Sequence, residues 1–212
     1  MKLYSYFRSS AAYRVRIALN LKELDYQQSA INLLKGEQGL EEYKNINPQG
    51  LVPTLSIDKN TDKGMLTQSL AIIEWLEESF PERSIIPGDP WKKARLRSLA
   101  YQISCDIHPI NNLRVLKYLQ QELAVSDDAK TQWYKHWIHT GFTALEAQLD
   151  DQPFCCSEQP SIADICLVPQ VFNALRFKME MSDFPKIHEI YQHCNTQPAF
   201  IDAAPENQPD AV

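Results

Sequence analysis

The stretch Asn47-Pro48-Gln49-Gly50-Leu51-Val52-Pro53-Thr54-Leu55 is a polar turn running into a β-prone segment. Val52-Pro53 stands at the entrance to a strand expected over residues 52–57, where a proline is best tolerated as a cis turn or an edge residue. Either arrangement leaves neighbouring backbone free to bind an extended ligand. Downstream, Met65-Leu66 reads as a further strand, joined by the polar turn Asp58-Lys59-Asn60-Thr61-Asp62-Lys63-Gly64, and a helix follows over residues 69–78. Upstream, residues 3–7 are β-prone. Val15, Ala18, Leu19 and Ile17, Leu21, Leu24 then form two overlapping helical stripes within residues 11–24, and residues 26–31 offer another strand. The order β-α-β then β-β-α describes a compact α/β domain with a mixed sheet.

Pro81, Pro87, Gly88 and Pro90 punctuate a stretch without apolar period, so a boundary is expected there, between a first domain of residues 1–82 and a second of residues 88–212. The second reads as all-helical: Leu96, Leu99, Ala100, Ile103 and Ile107 share one face, as do Ile138, Phe142, Leu145 and Leu149. Asp127-Asp128 is placed to start a helix. Ser161-Ile162-Ala163-Asp164 approaches a capping box ahead of the apolar run Ile165-Cys166-Leu167-Val168, a central helix that Pro169 should bend.

The 212 residues carry 21 Lys+Arg against 27 Asp+Glu, a net charge of -6, with 44% hydrophobic residues. That composition argues against disorder, and the acidic balance argues against nucleic acid as a partner. A small anionic substrate is compatible with a local arginine pocket. No run approaches membrane-spanning length. Five scattered cysteines without a Cys-x-x-Cys pair suggest neither a disulfide framework nor a zinc site, and fit a reduced, cytoplasmic protein. Cys155-Cys156 reads as a turn of small residues. His136 and His139, near Trp133 and Trp137, have no carboxylate to complete a metal set, so no metal is expected.

Chemistry concentrates elsewhere. Arg8-Ser9-Ser10-Ala11-Ala12-Tyr13-Arg14 spans the passage from first strand to first helix, where unpaired N–H groups and a serine hydroxyl could hold an anion. The plainer explanation is a serine cap. Gln68-Ser69 begins the second helix of that pattern in the same way, giving a second anion-ready helix start.

The blocks SSAAYRVRIALNLK, NPQGLVPTL, QSLAIIEWLEE, IHPINNLRVLKYL and PSIADICLVPQVFNALRF together closely resemble the zeta class of the glutathione transferases over almost the whole chain. The resemblance implies a thioredoxin-like domain that binds glutathione, followed by a helical domain that shapes the second substrate's site. Val52 would pair its backbone with the cysteinyl unit of glutathione, with Pro53 cis. Gln68 and Ser69 would hold the γ-glutamyl end and Gln38 the glycyl end, with His108, Asn112 and Arg114 on the cofactor-facing helical segment. Ser9, with Ser10 beside it, would contact the thiol, and Arg8, Arg14 and Arg176 would bind a dicarboxylate substrate. Where this class often has Ser-Ser-Cys, the third position is Ala11, which removes any role for that thiol and weighs against disulfide exchange. The implied activity is glutathione-dependent cis-trans isomerisation of maleylacetoacetate to fumarylacetoacetate in tyrosine and phenylalanine breakdown, by a homodimer. The alternatives are maleylpyruvate isomerisation, glutathione conjugation and a non-catalytic interaction module.

Overall fold

The computed structural model describes residues 1–57 and 64–211, so most of the polar turn expected over residues 58–64 lies outside the described residues. Two compact units emerge: Met1–Ile85 with Asn195–Val212, and Ile86–Cys194. Residues 195–212 therefore group with the first unit and not, as expected from the sequence, with the helical part.

In the first unit the strands are β1 (Lys2–Ser5), β2 (Gln27–Ala30), β3 (Thr54–Ser56) and β4 (Met65–Thr67), in the order β2-β1-β3-β4. β1 pairs parallel with β2 and antiparallel with β3, and β3 pairs antiparallel with β4, which is the mixed sheet anticipated. The register sets Leu3 opposite Leu55 and Leu55 opposite Leu66. Side chains alternate across a strand. Leu3 and Leu55 are buried on one face, and Tyr4 joins a cluster with Tyr6, Phe7, Tyr43 and Val52 on the other.

Helices α1 (Ser10–Leu21) and α3 (Ser69–Ser79) pack together through the apolar stripes that the sequence displays, with Val15, Leu19, Ile72, Ile73 and Leu76 inside. A short α2 (Glu41–Lys44) follows a single 3-10 turn at Glu37–Gly39. The end of α3 is closed by Lys22. Its buried ammonium donates to the Glu77 carboxylate at 2.9 Å and to the carbonyls of Phe80 at 2.8 Å and Arg83 at 2.9 Å, so all three protons are used.

The second unit is helical, with α4 (Pro90–Tyr101), α5 (Leu113–Gln121), α6 (Asp127–Glu146), α7 (Ile162–Arg176) and α8 (Pro185–Cys194). α4 passes into a π-helical turn at Gln102–Ile107. On α6, Gly141 lets Ile107 approach: a Cβ there would lie 2.3 Å from the isoleucine Cδ1. α6 starts at Asp127 behind a Ser126 cap, with both aspartates in its first turn. The capping box of α7 is complete. Ser161 Oγ accepts the Ala163 N–H at 3.2 Å, and the Asp164 carboxylate accepts the Ser161 N–H at 2.8 Å and the Cys155 N–H at 2.7 Å. Burial pushes the Asp164 carboxyl up, against those hydrogen bonds. Cys155-Cys156 sits in the Phe154–Ser157 turn, and burial, with Asp164 beside it, pushes the Cys155 thiol well up. A short α9 (Pro198–Ile201) returns to the first unit and packs on α1.

Candidate active site

The turn from β1 to α1 is built around Ser9. Its N–H donates to the Tyr6 carbonyl at 2.9 Å, and its Oγ accepts the Ala12 N–H at 3.2 Å, the geometry of an N-cap. The plain capping role is therefore real. It does not exhaust the residue: a hydroxyl that accepts one hydrogen bond still has its O–H to donate. Ser10 is the first helical residue and is buried. Arg8 is half-buried, its guanidinium donating to the Tyr6 hydroxyl at 3.1 Å and lying 4.9 Å from the Phe7 ring centre.

The second element is the turn entering β3, where the Val52-Pro53 bond is cis. Asn47 organises it: its Oδ1 accepts the Gln49 N–H at 3.1 Å, its carbonyl accepts the Gly50 N–H at 2.9 Å, and its amide donates to the Leu51 carbonyl at 2.7 Å. The Tyr43 hydroxyl donates to the same carbonyl at 2.7 Å. Burial raises the Tyr43 pKa, with hydrogen bonds to Thr54 and Asn47 opposing it. Gly50 has φ +60°, and a Cβ on it would stand 2.8 Å from the Gln38 carbonyl oxygen. The loop that bears Gln38 thus lies directly on this turn. Gln38 Oε1 is buried with no hydrogen-bond partner among the described residues.

The third element is the start of α3. Gln68 has φ +69°, a conformation that costs a non-glycine residue about 1–3 kcal/mol, and it donates from Nε2 to Gln49 Oε1 at 2.8 Å. Ser69 opens the helix, and its Oγ accepts from Arg14 at 3.4 Å. Arg14 is only 2% exposed. Sequence reasoning set Arg14 beside the substrate; in the fold its guanidinium lies beneath the Gln68-Ser69 turn.

Four candidates belong to the second unit. Asn112 caps α5, its Oδ1 accepting the Arg114 N–H at 3.1 Å, and Arg114 is exposed. His108 ends the π-helical turn. Arg176 is exposed in the last turn of α7, its guanidinium 5.0 Å from the Phe177 ring centre. Phe177 stacks on Tyr134 at 3.7 Å. Burial raises the Tyr134 hydroxyl to about 12, with the Arg176 charge and hydrogen bond opposing it. Sequence reasoning missed Tyr43 and Asn47. The Asn-Pro-x-Gly pattern could have flagged Asn47; no local signal marks Tyr43. Among the described residues, no group of three or more His, Cys, Asp or Glu could hold a metal ion, and no helix is long and apolar enough to cross a membrane.

The chain matches two family models, the glutathione S-transferase N-terminal domain over residues 3–84 and the glutathione S-transferase C-terminal domain over residues 127–193. It is 48% identical to a probable maleylacetoacetate isomerase of Vibrio cholerae, covering 99% of this chain and 97% of that one. Among solved structures it superposes with a TM-score of 0.95 on holo maleyl pyruvate isomerase, a bacterial zeta-class glutathione S-transferase, at 42% identity with both chains fully covered. It superposes with a TM-score of 0.92 on maleylacetoacetate isomerase from Methylobacterium extorquens, solved with bound malonate and glutathione, at 34% identity and full coverage of both chains. Fold, turn geometry and full-length similarity agree, and the chain belongs to the zeta class of the glutathione transferase family.

Proposed function

We propose that the protein is a glutathione-dependent cis-trans isomerase that converts maleylacetoacetate to fumarylacetoacetate. The observation that carries this reading is the Ser9 cap at the start of α1, its O–H still available, in a chain whose full-length relatives are named as isomerases. The donor set fits glutathione. The start of the 11-residue α3, the Ser69 hydroxyl and Arg14 beneath it suit the γ-glutamyl carboxylate. The buried Gln38 acceptor suits an amide N–H at the glycyl end. Val52 offers backbone beside the cis Pro53.

Bound glutathione supplies a thiolate that adds reversibly to a carbonyl-conjugated double bond, which turns as a single bond before the thiolate leaves. The protein must favour that thiolate. Lowering a thiol from about 8.5 by two units takes roughly 2.7 kcal/mol. A hydrogen bond to a charged group contributes about 1.5–3 kcal/mol and a helix N-terminus about 0.3–1 more, so Ser9 at the head of α1 is sufficient. Ser10 stands next to it as a second hydroxyl. Arg8 in the first unit and Arg176 in the second are each candidates for the substrate carboxylates and the developing enolate charge, while Arg14 contributes its charge at the Ser69 end. His108, Asn112 and Arg114 are the second unit's own candidates for cofactor binding. The enzyme works as a homodimer in the cytoplasm.

The deciding experiment is isomerisation of maleylacetoacetate with and without glutathione: turnover that depends on glutathione is expected, and turnover indifferent to it would overturn the reading. Similarity to maleyl pyruvate isomerase favours one second reading, the same chemistry on maleylpyruvate. Side-by-side kcat/KM on the two substrates separates them.

A further inference from the structure

The segment that returns to the first unit ends on the turn that carries Ser9. The Phe7 N–H donates to the Asp210 carboxylate at 2.9 Å, across 203 residues of chain. Arg16 is fully buried and reads the other side of the same turn. Its Nε donates to the Ala203 carbonyl at 2.9 Å, one terminal nitrogen donates to Ser5 Oγ at 3.1 Å and the Tyr6 carbonyl at 3.5 Å, and the other donates to the Phe7 carbonyl at 2.9 Å. Tyr6 is the residue whose carbonyl also receives the Ser9 N–H. Both backbone groups of Phe7 and the carbonyl of Tyr6 are therefore fixed by two charged side chains just ahead of the cap.

The segment is itself anchored. Gln208 donates to the carbonyls of Asp202 and Ala204, both at 2.8 Å, and accepts from Gln28 beside β1 at 2.8 Å. The Asn20 amide holds the Ala199 carbonyl at 3.0 Å, and Ala211 packs against the cluster containing Tyr6 and Phe7. Hydrogen bonds with an ionised partner are about twice as strong as neutral ones, so this is a stiff mounting. Stiffness matters here because a misplacement of about 1 Å in a reacting geometry can cost roughly 100-fold in rate.

We propose that Asp210, together with Arg16, is a positioning residue for thiol activation: the segment 203–211 straps down the Tyr6–Ser9 turn so that the Ser9 hydroxyl is held on the bound thiol. This rests on the role given to Ser9 above. Loss of the Asp210 carboxylate leaves Phe7 anchored from one side only and loosens the aim of Ser9 without touching the ligand.

The test uses the full chain with Asp210→Ala, Asp210→Glu and, as a control in the same segment, Asn207→Ala, whose side-chain amide donates to the Ile201 carbonyl. Three quantities are read: the thiolate absorbance of bound glutathione against pH, kcat and KM for glutathione, and amide hydrogen exchange of residues 5–9 in the ligand-free protein. Asp210→Ala is expected to raise the bound thiol's pKa by about one unit, from about 6.5 to about 7.5, and to lower kcat at pH 7 about 3-fold, with activity recovering at higher pH. KM for glutathione should rise by no more than about 3-fold, the part that linkage to the raised thiol pKa accounts for, because no contact with the ligand is removed. Exchange at Phe7 should quicken. If Asp210→Ala does not fold, Asp210→Glu, with its carboxylate displaced by one methylene, should still raise the thiol pKa. A wild-type thiol titration in the folded Asp210 variants, or an equal shift in Asn207→Ala, overturns the strap. A wild-type protein that binds no glutathione overturns the functional reading, and is told apart because exchange at Phe7 would still respond to Asp210.

Discussion

At Gly50 the φ of +60° and the Gln38 carbonyl 2.8 Å from a prospective Cβ leave no room for a side chain. Gly50→Ala is expected to cost at least about 1 kcal/mol of stability and to raise KM for glutathione more than it lowers kcat, because the Gln38 loop must retreat from the Val52-Pro53 turn. Denaturant unfolding and steady-state kinetics check the two halves. Ser9→Ala removes the helix cap together with the hydroxyl proposed to face the thiolate. About 10-fold or more of kcat should disappear at neutral pH, with a rise in the bound thiol's pKa seen by absorbance titration. The serines, the proline and the Gln-Ser pair were legible because each carries its own backbone signature in the sequence. Tyr43 was not, since its hydroxyl acts on Leu51, a partner that only the folded turn brings within reach.

Among the elements, the four strands and the helices α1, α3, α6 and α7 follow from apolar period and caps, with boundaries shifted by a few residues. The π-helical turn at Gln102–Ile107 was read as plain helix, because the stripe Leu96, Leu99, Ala100, Ile103 and Ile107 does not reveal one extra residue in a turn. Gly141 on α6, which accommodates Ile107, is a tertiary fact without a local mark. The start of α7 depends on Asp164. Asp164→Ala should destabilise by about 2–4 kcal/mol, since it breaks the cap and leaves the Ser161 and Cys155 N–H groups buried without an acceptor. Chemical denaturation measures it. At the end of α3, burial tends to raise the Glu77 pKa, but hydrogen bonds from Ser84, Lys22 and the Ile85 N–H and the Lys22 charge outweigh it, and the net direction is downward from 4.5. A lowered folded-state value makes this contribution complete above about the unfolded pKa and lost as pH falls through the folded one. Glu77→Gln should therefore weaken the protein at neutral pH and flatten the acid side of its stability profile, read from urea midpoints at successive pH values.

For the whole molecule, the division at residues 85 and 86 was close to the Pro-rich boundary in the sequence, whereas the return of residues 195–212 was not legible. Arg16 finds the Ala203 carbonyl 187 residues away, and nothing near either residue announces the other. It follows that residues 1–85 alone should not unfold cooperatively. The guanidinium of Arg16 would lose one buried acceptor and the Phe7 N–H its carboxylate, and a peptide of residues 195–212 should restore a cooperative transition seen by circular dichroism.

The same long-range closure sets a schedule for synthesis. As the chain leaves the ribosome at some 5–20 residues per second, the domain made first is completed last, because its buried arginine waits for residues near position 203 to emerge. Ile86–Cys194 has all its sequence in hand earlier and can pack as a nascent intermediate. Loop closure over nearly the whole chain is also slow, so recruitment of the final segment should limit refolding of the first unit, and with it the appearance of a competent cofactor site.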